Sequence, residues 1–306
     1  MRKFLIKLNY FLIPVVLGWL LLEIFYRAVP NNYTEKNKHI RGSYNDCQTL
    51  ILGNSHTFYG LNPDDFTAPA FNISNVSQTL FYDKLLFEKH VDSFAVLKNI
   101  IIPIEYSSLS HSDFHPELEW RKYFYEDQMD LDTQTISDFD VKKYSLALVP
   151  RFSLTIFSLR EYLKSGTLVE CSTKGWRRQN GVNELYNNPK MAKIIADKHE
   201  DGSVDFRKNV QRLKNIIAAC NKRGITVVLV TMPVTSNYAA NVNQQKLALI
   251  TKECSQLAKI KNVYYLNLFQ DSLFQDTDFY DTDHLNSGGA KKCSQLLDRF
   301  IKSINN

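Results

Sequence analysis

Residues 48–57 read QTLILGNSHT, and the order of residue types in this stretch indicates the fold. A short apolar run ends at Gly53 and gives way to polar residues, which is typical of a buried strand that leads into a turn. Glycine allows such a turn at little steric cost. We therefore expect Ser55 on the turn between strand and helix, with its hydroxyl exposed and its backbone N–H free to bind an oxyanion. The alternative is a helix N-cap, since serine is a leading cap residue.

Four more short apolar runs alternate with segments of helical spacing. The runs are PAFNIS at 69–74, LKNIIIPIEY at 97–106, ITVVLVTMP at 225–233 and NVYYLNL at 262–268. The helical segments cover 81–95, 204–223, 241–258 and 287–303. Strands that alternate with helices predict a three-layer α/β fold with a parallel sheet. Ligands of such sheets bind beyond the carboxyl ends of the strands, where the turn at 53–55 is expected.

Residues 106–200 interrupt this alternation and are rich in aromatic residues, Asp and Ser. We interpret them as an insertion over the sheet edge, a lid or a substrate platform. Its basic–aromatic patch at 174–178 either binds an acidic glycan or is a solvated loop. The predicted organisation is an anchor at 1–30, a polar linker at 31–46 and a catalytic α/β domain at 47–306.

The N-terminus predicts a membrane helix. Three basic residues within 1–10 precede the apolar run FLIPVVLGWLLLEIFY at 11–26. Tyr26, two residues before Ala28, is too large for a signal-cleavage site, so we expect an uncleaved single-pass anchor. The basic flank places the N-terminus in the cytoplasm and the rest of the chain outside. Glu23 either lies near the outer interface or contacts a membrane partner. The alternative for the whole segment is a buried helix of a soluble protein.

A second polar cluster, FYDTDHLN, occupies residues 279–286 just before the last helical segment. Asp281 and His284 are three residues apart, which lets both side chains project to one side. His284 can accept the proton of a serine hydroxyl while a carboxylate holds its other ring nitrogen. We assign that carboxylate to Asp281 and expect Asp283 to be a cap or a solvent-facing residue. Taken alone, the cluster would be a capping aspartate and a surface histidine.

Together, Gly53-Asn54-Ser55 and Asp281-Thr-Asp-His284 resemble the first and last sequence blocks of the SGNH (GDSL-like) hydrolase superfamily. The tail HLNSGGAKK is also similar to the segment after the catalytic histidine in that family. The resemblance covers roughly residues 47–105 and 204–303. It implies a flavodoxin-like sandwich in which Ser55 is the nucleophile, His284 the general base and Asp281 its orienting acid. The chemistry it implies is acyl transfer through an acyl-serine.

The oxyanion hole departs from the family pattern. The segment that should supply a glycine N–H reads NISNVSQ at 72–78, and Glu105 stands where an asparagine is expected. An acidic Glu105 would repel an oxyanion, and one missing donor costs about two to three orders of magnitude in rate. The candidate oxyanion and substrate-binding groups are the Ser55 backbone, Asn75, Ser77 and His56.

The resemblance extends to anchored proteins that edit surface polymers, among them relatives of the teichoic-acid D-alanylation protein and alginate-type O-acetyltransferases. The leading hypothesis is a serine esterase or O-acyltransferase that acts on acyl esters, such as acetyl esters, of a cell-surface polysaccharide. A transferase would need a multi-span membrane protein to deliver the acyl group. The alternative is a weakly active or inactive scaffold or glycan-binding protein. No cofactor or metal is predicted.

Composition excludes other classes of function. A net charge of +5 over 306 residues, without a basic stripe, argues against nucleic-acid binding. The five cysteines are odd in number and form no C-x-x-C pair, which excludes a dense disulfide framework. One disulfide, with Cys171 as a candidate, is left open.

Overall fold

The computed structural model describes residues 1–113 and 119–305. The chain divides into two compact units. The N-terminal unit contains the described parts of Met1–Asn37 and Pro116–Glu170, and the sheet unit contains those of Lys38–His115 and Cys171–Asn306.

The sheet unit is built on five parallel strands. They are β1 Thr49–Ile51, β2 Ala70–Asn72, β3 Asn99–Pro103, β4 Thr226–Thr231 and β5 Val263–Asn267. The spatial order is β2-β1-β3-β4-β5, and every neighbouring pair is parallel. In register, Ile51 of β1 lies beside Asn72 of β2 and Ile101 of β3. The prediction of a parallel α/β fold with flavodoxin-like strand order is confirmed.

Helices connect the strands and also make up the N-terminal unit. In chain order they are α1 Arg2–Ala28, α2 Asn32–Gly42, α3 Ser55–Gly60, α4 Leu80–His90, α5 Arg121–Gln128, α6 Phe152–Ser165, α7 Pro189–His199, α8 Arg207–Lys222, α9 Ser236–Ala239, α10 Gln244–Leu257 and α11 Ser287–Asn305. The four helical segments predicted from spacing correspond to α4, α8, α10 and α11.

Both faces of the sheet are covered, as parallel sheets require. On one face, apolar residues of α11 such as Leu297 pack in a single core with Ile51, Ile101 and Val228. Side chains alternate along a strand, so the neighbours Ile100 and Val227 point to the opposite face. These are buried as well, on the side where α8 contacts β4 and α4.

The region between the anchor and the sheet differs from the simple linker expected at 31–46. Helix α2 occupies most of it, because Asn31 caps the helix by accepting the N–H of Tyr33 at 2.9 Å. Tyr33 and Ile40 are buried on its inner side. The sequence did not predict this helix because few of its positions are apolar.

The predicted insertion at 106–200 is also not one piece. Helices α5 and α6 belong to the N-terminal unit, whereas residues from Cys171 onward, including α7, belong to the sheet unit. Sequence spacing does not report which core a helix joins, because both cores are apolar.

All five cysteines are free thiols. Cys47, Cys220, Cys254 and Cys293 are buried in the sheet unit, and Cys171 is half-buried. Burial raises the pKa of the Cys47, Cys220 and Cys254 thiols to about 12, and that of Cys293 higher still. These four residues are therefore apolar packing groups rather than ligands or nucleophiles.

Candidate active site

The turn after β1 is shaped by Gly53, which has a φ of +113°. A Cβ atom here would lie 2.0 Å from Cγ of Pro103 at the end of β3, so only glycine fits. The Gly53 N–H donates to Oδ1 of Asp83 in α4 at 2.8 Å, and Nε2 of Gln78 donates to the same oxygen at 2.7 Å. The turn is thus fixed by both the neighbouring strand and a buried carboxyl group.

The first turn of α3 positions the Ser55 hydroxyl. Asn54 is the N-cap, and its side chain accepts the N–H of His56 at 3.0 Å. The capping role considered for Ser55 is therefore filled by Asn54. Ser55 begins the helix, and its Oγ lies 2.8 Å from Nε2 of His284.

His284 lies on a tight loop at 279–286. The N–H of Tyr280 donates to the carbonyl oxygen of His284 at 2.8 Å, which closes the loop. The carbonyl oxygen of Thr282 accepts from the N–H of Thr235 at 3.1 Å and from its hydroxyl at 2.6 Å. Because Thr235 follows β4, the loop is fixed beyond the carboxyl end of the sheet.

Asp281 holds the other side of His284. Both Asp281 carboxylate oxygens lie 3.0 Å from Nδ1 of His284. Its Oδ1 also accepts the backbone N–H groups of Asp283 and His284 at 3.1 Å and 2.8 Å. The structure thus brings Ser55, His284 and Asp281 together in the hydrogen-bonded order of an acyl-transfer triad.

Asp283 is not the cap or solvent-facing residue expected from the sequence. It is only 3% exposed, because the loop curls around the Asp281 carboxylate and turns Asp283 inward. One oxygen lies 3.5 Å from Nδ1 of His284 and the other 3.4 Å from Nε2 of His56. His56 Nδ1 in turn lies 3.8 Å from a Glu105 oxygen. His56 therefore lies buried between two carboxylates, behind the base rather than in an open pocket.

The surrounding carboxylates determine the protonation of His284. Burial alone would lower its pKa, but the negative charges of Asp283 and Asp281 outweigh burial and raise the pKa to about 9. Burial would raise the pKa of Asp283, yet the imidazoles of His284 and His56 hold it well below its usual range. Burial raises the pKa of Glu105 to about 6. The negative charges of Asp283 and Asp281 therefore favour the protonated form of His284.

His199 lies near this cluster, although no sequence motif predicted it. It ends α7, and its Nδ1 lies 2.8 Å from the hydroxyl of the buried Tyr238. Burial lowers the pKa of His199 to about 4, so it stays neutral beside Asp283. A lone histidine in an unmatched segment carries no positional signal in the sequence.

The segment after β2, which contains the predicted oxyanion donors Asn75 and Ser77, lies beside the nucleophile turn. The N–H of Asn75 donates to the carbonyl oxygen of Gly53 at 3.1 Å, which places Asn75 beside the nucleophile turn. Its Oδ1 accepts the N–H of Val76, and its buried Nδ2 has no hydrogen-bond partner among residues 1–113 and 119–305. Ser77 is half-buried with a φ of +57°, a left-handed conformation that a glycine would adopt without strain. The Ser55 N–H, in the first turn of α3, has no intrahelical acceptor.

The patch at 174–178 is only partly solvated. Trp176 Nε1 donates to the carbonyl oxygen of Tyr59 at 2.7 Å. The Arg177 guanidinium lies 5.4 Å from the centre of the Tyr59 ring and donates to its hydroxyl at 3.0 Å. That ring meets the His284 ring edge-on at 5.1 Å. Trp176 and Arg177 thus support one wall of the site, and the two end residues of the patch are exposed.

The cluster also contains atoms that a metal ion could use. Donor atoms of His56, Asp283 and His284 all lie within 4.8 Å of one another. Both His284 nitrogens, however, already bind Ser55 and Asp281. A metal bound through Nε2 would displace the serine, so the arrangement fits a hydrogen-bonded relay better than a metal centre.

We expect Asp83→Asn to remove a pH-dependent loss of stability. Burial raises the pKa of Asp83 to about 7, above its unfolded value of about 4, so the folded state binds the extra proton. That stabilisation is fully present below about pH 4 and is lost as pH rises through 7, at most about 4 kcal/mol. The introduced amide could still accept from Gly53, and the melting temperature of the variant should fall less between pH 5 and pH 8. Asp92→Asn, at an exposed site, should behave like the parent, and an equal fall in Asp83→Asn would contradict the assignment.

No family model matches the chain, and no curated protein sequence matches it. Among solved structures, a protein from Streptococcus pneumonia described as a platelet activating factor is 11% identical, covering 96% of this chain and 99% of its own, with a TM-score of 0.46. An acylhydrolase from Bacteroides fragilis is 10% identical over 90% and 96% of the two chains, with a TM-score of 0.43. A GDSL-like lipase from Bacteroides thetaiotaomicron is 10% identical over 86% and 90%, with a TM-score of 0.41. Similarity this distant does not transfer an activity, which must be argued from the site.

Proposed function

We propose that this protein is a serine esterase or O-acyltransferase that acts on acyl esters of a cell-surface polysaccharide through an acyl-serine intermediate. The observation that carries the proposal is the hydrogen-bonded series from Ser55 Oγ to His284 Nε2 and from His284 Nδ1 to Asp281. A serine at the first position of a helix, held by a histidine that a carboxylate orients, is arranged for nucleophilic attack on a carbonyl carbon.

Each group has a defined task in this mechanism. Ser55 Oγ attacks the acyl carbonyl while His284 Nε2 takes the hydroxyl proton. The N–H of Ser55 and the side-chain amide of Asn75 stabilise the oxyanion, with the Ser77 backbone as the third candidate donor. The sugar hydroxyl leaves with the proton from His284, and the acyl group stays on Ser55. Water then completes hydrolysis, or a second sugar hydroxyl completes transfer.

The membrane context is part of the proposal. Helix α1 is the one helix among the described residues that is long and apolar enough to cross a membrane, with a mean hydropathy of 2.0 over its best window. We propose that it is an uncleaved anchor with its N-terminus in the cytoplasm, which places the site at the cell surface. A transferase would receive its acyl group from a multi-span membrane protein.

The test is to incubate the full-length protein in detergent with an O-acetylated oligosaccharide. Intact-mass analysis should find Ser55 acylated, and the products should include free acetate or an acetylated acceptor sugar. Free acetate without transfer identifies an esterase, and transfer without net release identifies an acyltransferase. If no ester is lost and Ser55 is acylated neither by this substrate nor by an activated acetyl ester, which needs no membrane donor, the catalytic proposal is wrong.

We expect Asn75→Asp to lower kcat by about 10²–10³, because it replaces the buried Nδ2 donor with an oxygen while keeping the acceptor for Val76. The measurement is steady-state hydrolysis of a chromogenic acetyl ester. Asn45→Asp, at an exposed turn, is the matched control and should leave kcat unchanged. Unchanged kcat in Asn75→Asp would remove Asn75 from the oxyanion hole.

The pH profile should rise toward alkaline values. His284 has a raised pKa of about 9 and must be neutral to accept the serine proton, so kcat/KM should increase about tenfold per pH unit until pH approaches 9. Asp283→Asn removes the carboxylate that raises this pKa most and should move the rise to lower pH. Asp46→Asn, at an exposed site, should leave it in place. A profile that is flat from pH 6 to pH 9 would show that the pKa of His284 is not raised by the two carboxylates.

One observation favours a second candidate, an inactive scaffold or glycan-binding protein. Glu105 replaces the family's third-block asparagine, and its carboxyl faces His56 and accepts the Met232 N–H at 3.3 Å instead of offering a donor to the site. A scaffold would bind the oligosaccharide without acylating Ser55, and its affinity would be the same in Ser55→Ala. The acylation experiment separates the two candidates.

A further inference from the structure

The last turns of α1 are built into the N-terminal unit. Tyr26 is buried, and its hydroxyl donates to Oγ1 of Thr155 in α6 at 3.0 Å. Phe25 packs edge-on against Tyr162 of the same helix at 5.4 Å. Nε2 of Gln128, at the end of α5, donates to the carbonyl oxygen of Tyr26 at 2.9 Å. The C-terminal end of α1 is therefore a structural part of this unit, whereas the preceding turns are exposed.

Glu23 has its partners within the same unit. One carboxylate oxygen accepts the Ser145 hydroxyl at 2.7 Å and the Ala147 N–H at 3.0 Å. The other pairs with Arg27 at 2.5 Å. One turn earlier, Nε1 of Trp19 donates to the Ser145 hydroxyl at 3.0 Å. A carboxylate in an apolar helix needs such partners near lipid, and here Ser145, Ala147 and Arg27 supply them.

These bonds fix the depth of a neighbouring segment. Tryptophan is enriched in the interfacial layer between lipid and water, so Trp19 lies near that layer if α1 is the proposed anchor. Ser145 lies beside Trp19 and Glu23, and we infer that the segment that surrounds it, residues 139–152, lies near the same level. We name this segment the collar.

The collar exposes large apolar side chains. Phe139 is 97% exposed and Phe152 is 80% exposed, and Val141 and Leu148 between them are exposed as well. Single apolar residues on a surface are ordinary, but several on one short segment beside an apolar helix indicate an interaction site. Lys142 and Arg151 are exposed in the same segment, which suits anionic headgroups.

We propose that the collar inserts Phe139, Val141, Leu148 and Phe152 into the interfacial layer of the leaflet at the C-terminal end of α1. The protein is then attached to the membrane by a spanning helix and by the apolar side chains of the collar, which surround the point where the helix leaves the bilayer. This inference rests on the proposed anchoring of α1. The bilayer is the favoured occupant because the collar is bonded directly to the helix that would enter it.

The experiment uses the full-length protein in nanodiscs of phosphatidylcholine and phosphatidylglycerol, with and without brominated acyl chains that quench tryptophan. Phe139→Trp and Phe152→Trp add a probe at exposed collar positions, where folding should not change. Leu185→Trp is the matched control, since Leu185 is 80% exposed in the sheet unit. The emission of each variant is compared with that of the parent, and Trp19→Phe separates the contribution of α1 from those of Trp120 and Trp176.

We expect loss of emission and a blue shift for the probes at 139 and 152, and neither for the probe at 185. A quenched parent with unquenched collar probes would overturn the collar while leaving the anchor intact. An unquenched parent would overturn the anchor and the collar together, and neither outcome bears on Ser55 chemistry. The last outcome is a blue shift of the probe at 139 that grows with protein concentration, with no quenching by brominated lipid. It would assign the collar to contact with a second copy of the chain and overturn the lipid proposal.

Discussion

Ser55→Ala will abolish covalent labelling by a fluorophosphonate and lower kcat on an acetyl ester by about 10⁴-fold or more. Fluorophosphonates react with serines whose proton is taken by a neighbouring base. The Ser55 hydroxyl, 2.8 Å from Nε2 of His284, is placed for that reaction. The measurement is in-gel fluorescence of the full-length protein after labelling, together with steady-state hydrolysis.

His284→Ala should lose labelling as well, because the base is gone while the hydroxyl remains. Ser255→Ala is the control, since Ser255 is exposed on α10 and its hydroxyl donates to the Thr251 carbonyl oxygen within its own helix. Melting temperatures of the variants should stay near that of the parent. Labelling that persists in Ser55→Ala would place the nucleophile elsewhere and contradict the triad.

Asp281→Asn should lower kcat by about 10³–10⁴ with little change in KM. The asparagine amide can present an N–H to Nδ1 of His284, which favours the wrong tautomer and leaves Nε2 protonated toward Ser55. The Asp281 oxygens lie 3.0 Å from Nδ1, so the effect results directly from this contact. The measurement is kcat as a function of pH.

Asp283→Asn is the matched comparison for Asp281→Asn. Asp281→Asn should lower the plateau of the pH profile, whereas Asp283→Asn should mainly shift its position. The reason is that Asp283 lies farther from Nδ1, at 3.5 Å, and acts through its charge. If Asp283→Asn lowers the plateau and Asp281→Asn does not, Asp283 is the orienting acid and the sequence-based assignment is wrong.

Much of the sheet unit was predictable because its signals are local. A run of β-branched and apolar residues such as that in β4 has few other stable conformations in a domain of this size. The turn at Gly53 was predictable because a glycine ends the apolar run, whereas only the structure shows that Pro103 leaves no room for any other residue. The pairing of Ser55 with His284, 229 positions apart, came from two motifs placed on one fold rather than from either motif alone.

The buried cluster of His56, Asp283 and Glu105 behind the base was not predictable from the residues. A charged residue such as Asp283 is exposed far more often than it is buried, and its sequence neighbours do not report that His56 lies 3.4 Å away. The same limit explains the insertion. Helices α6 and α7 both carry amphipathic patterns, yet they join different cores, and periodicity identifies an apolar face without identifying what it packs against.

The four deeply buried cysteines allow local unfolding of the sheet unit to be measured through their reactivity. One precedes β1 and the others lie on α8, α10 and α11, so together they sample several elements around the sheet. Thiols with pKa values raised to about 12 do not react with alkylating reagents while the unit is closed. The rate at which each thiol becomes alkylated under native conditions therefore measures how often its own element opens, without an introduced cysteine or dye.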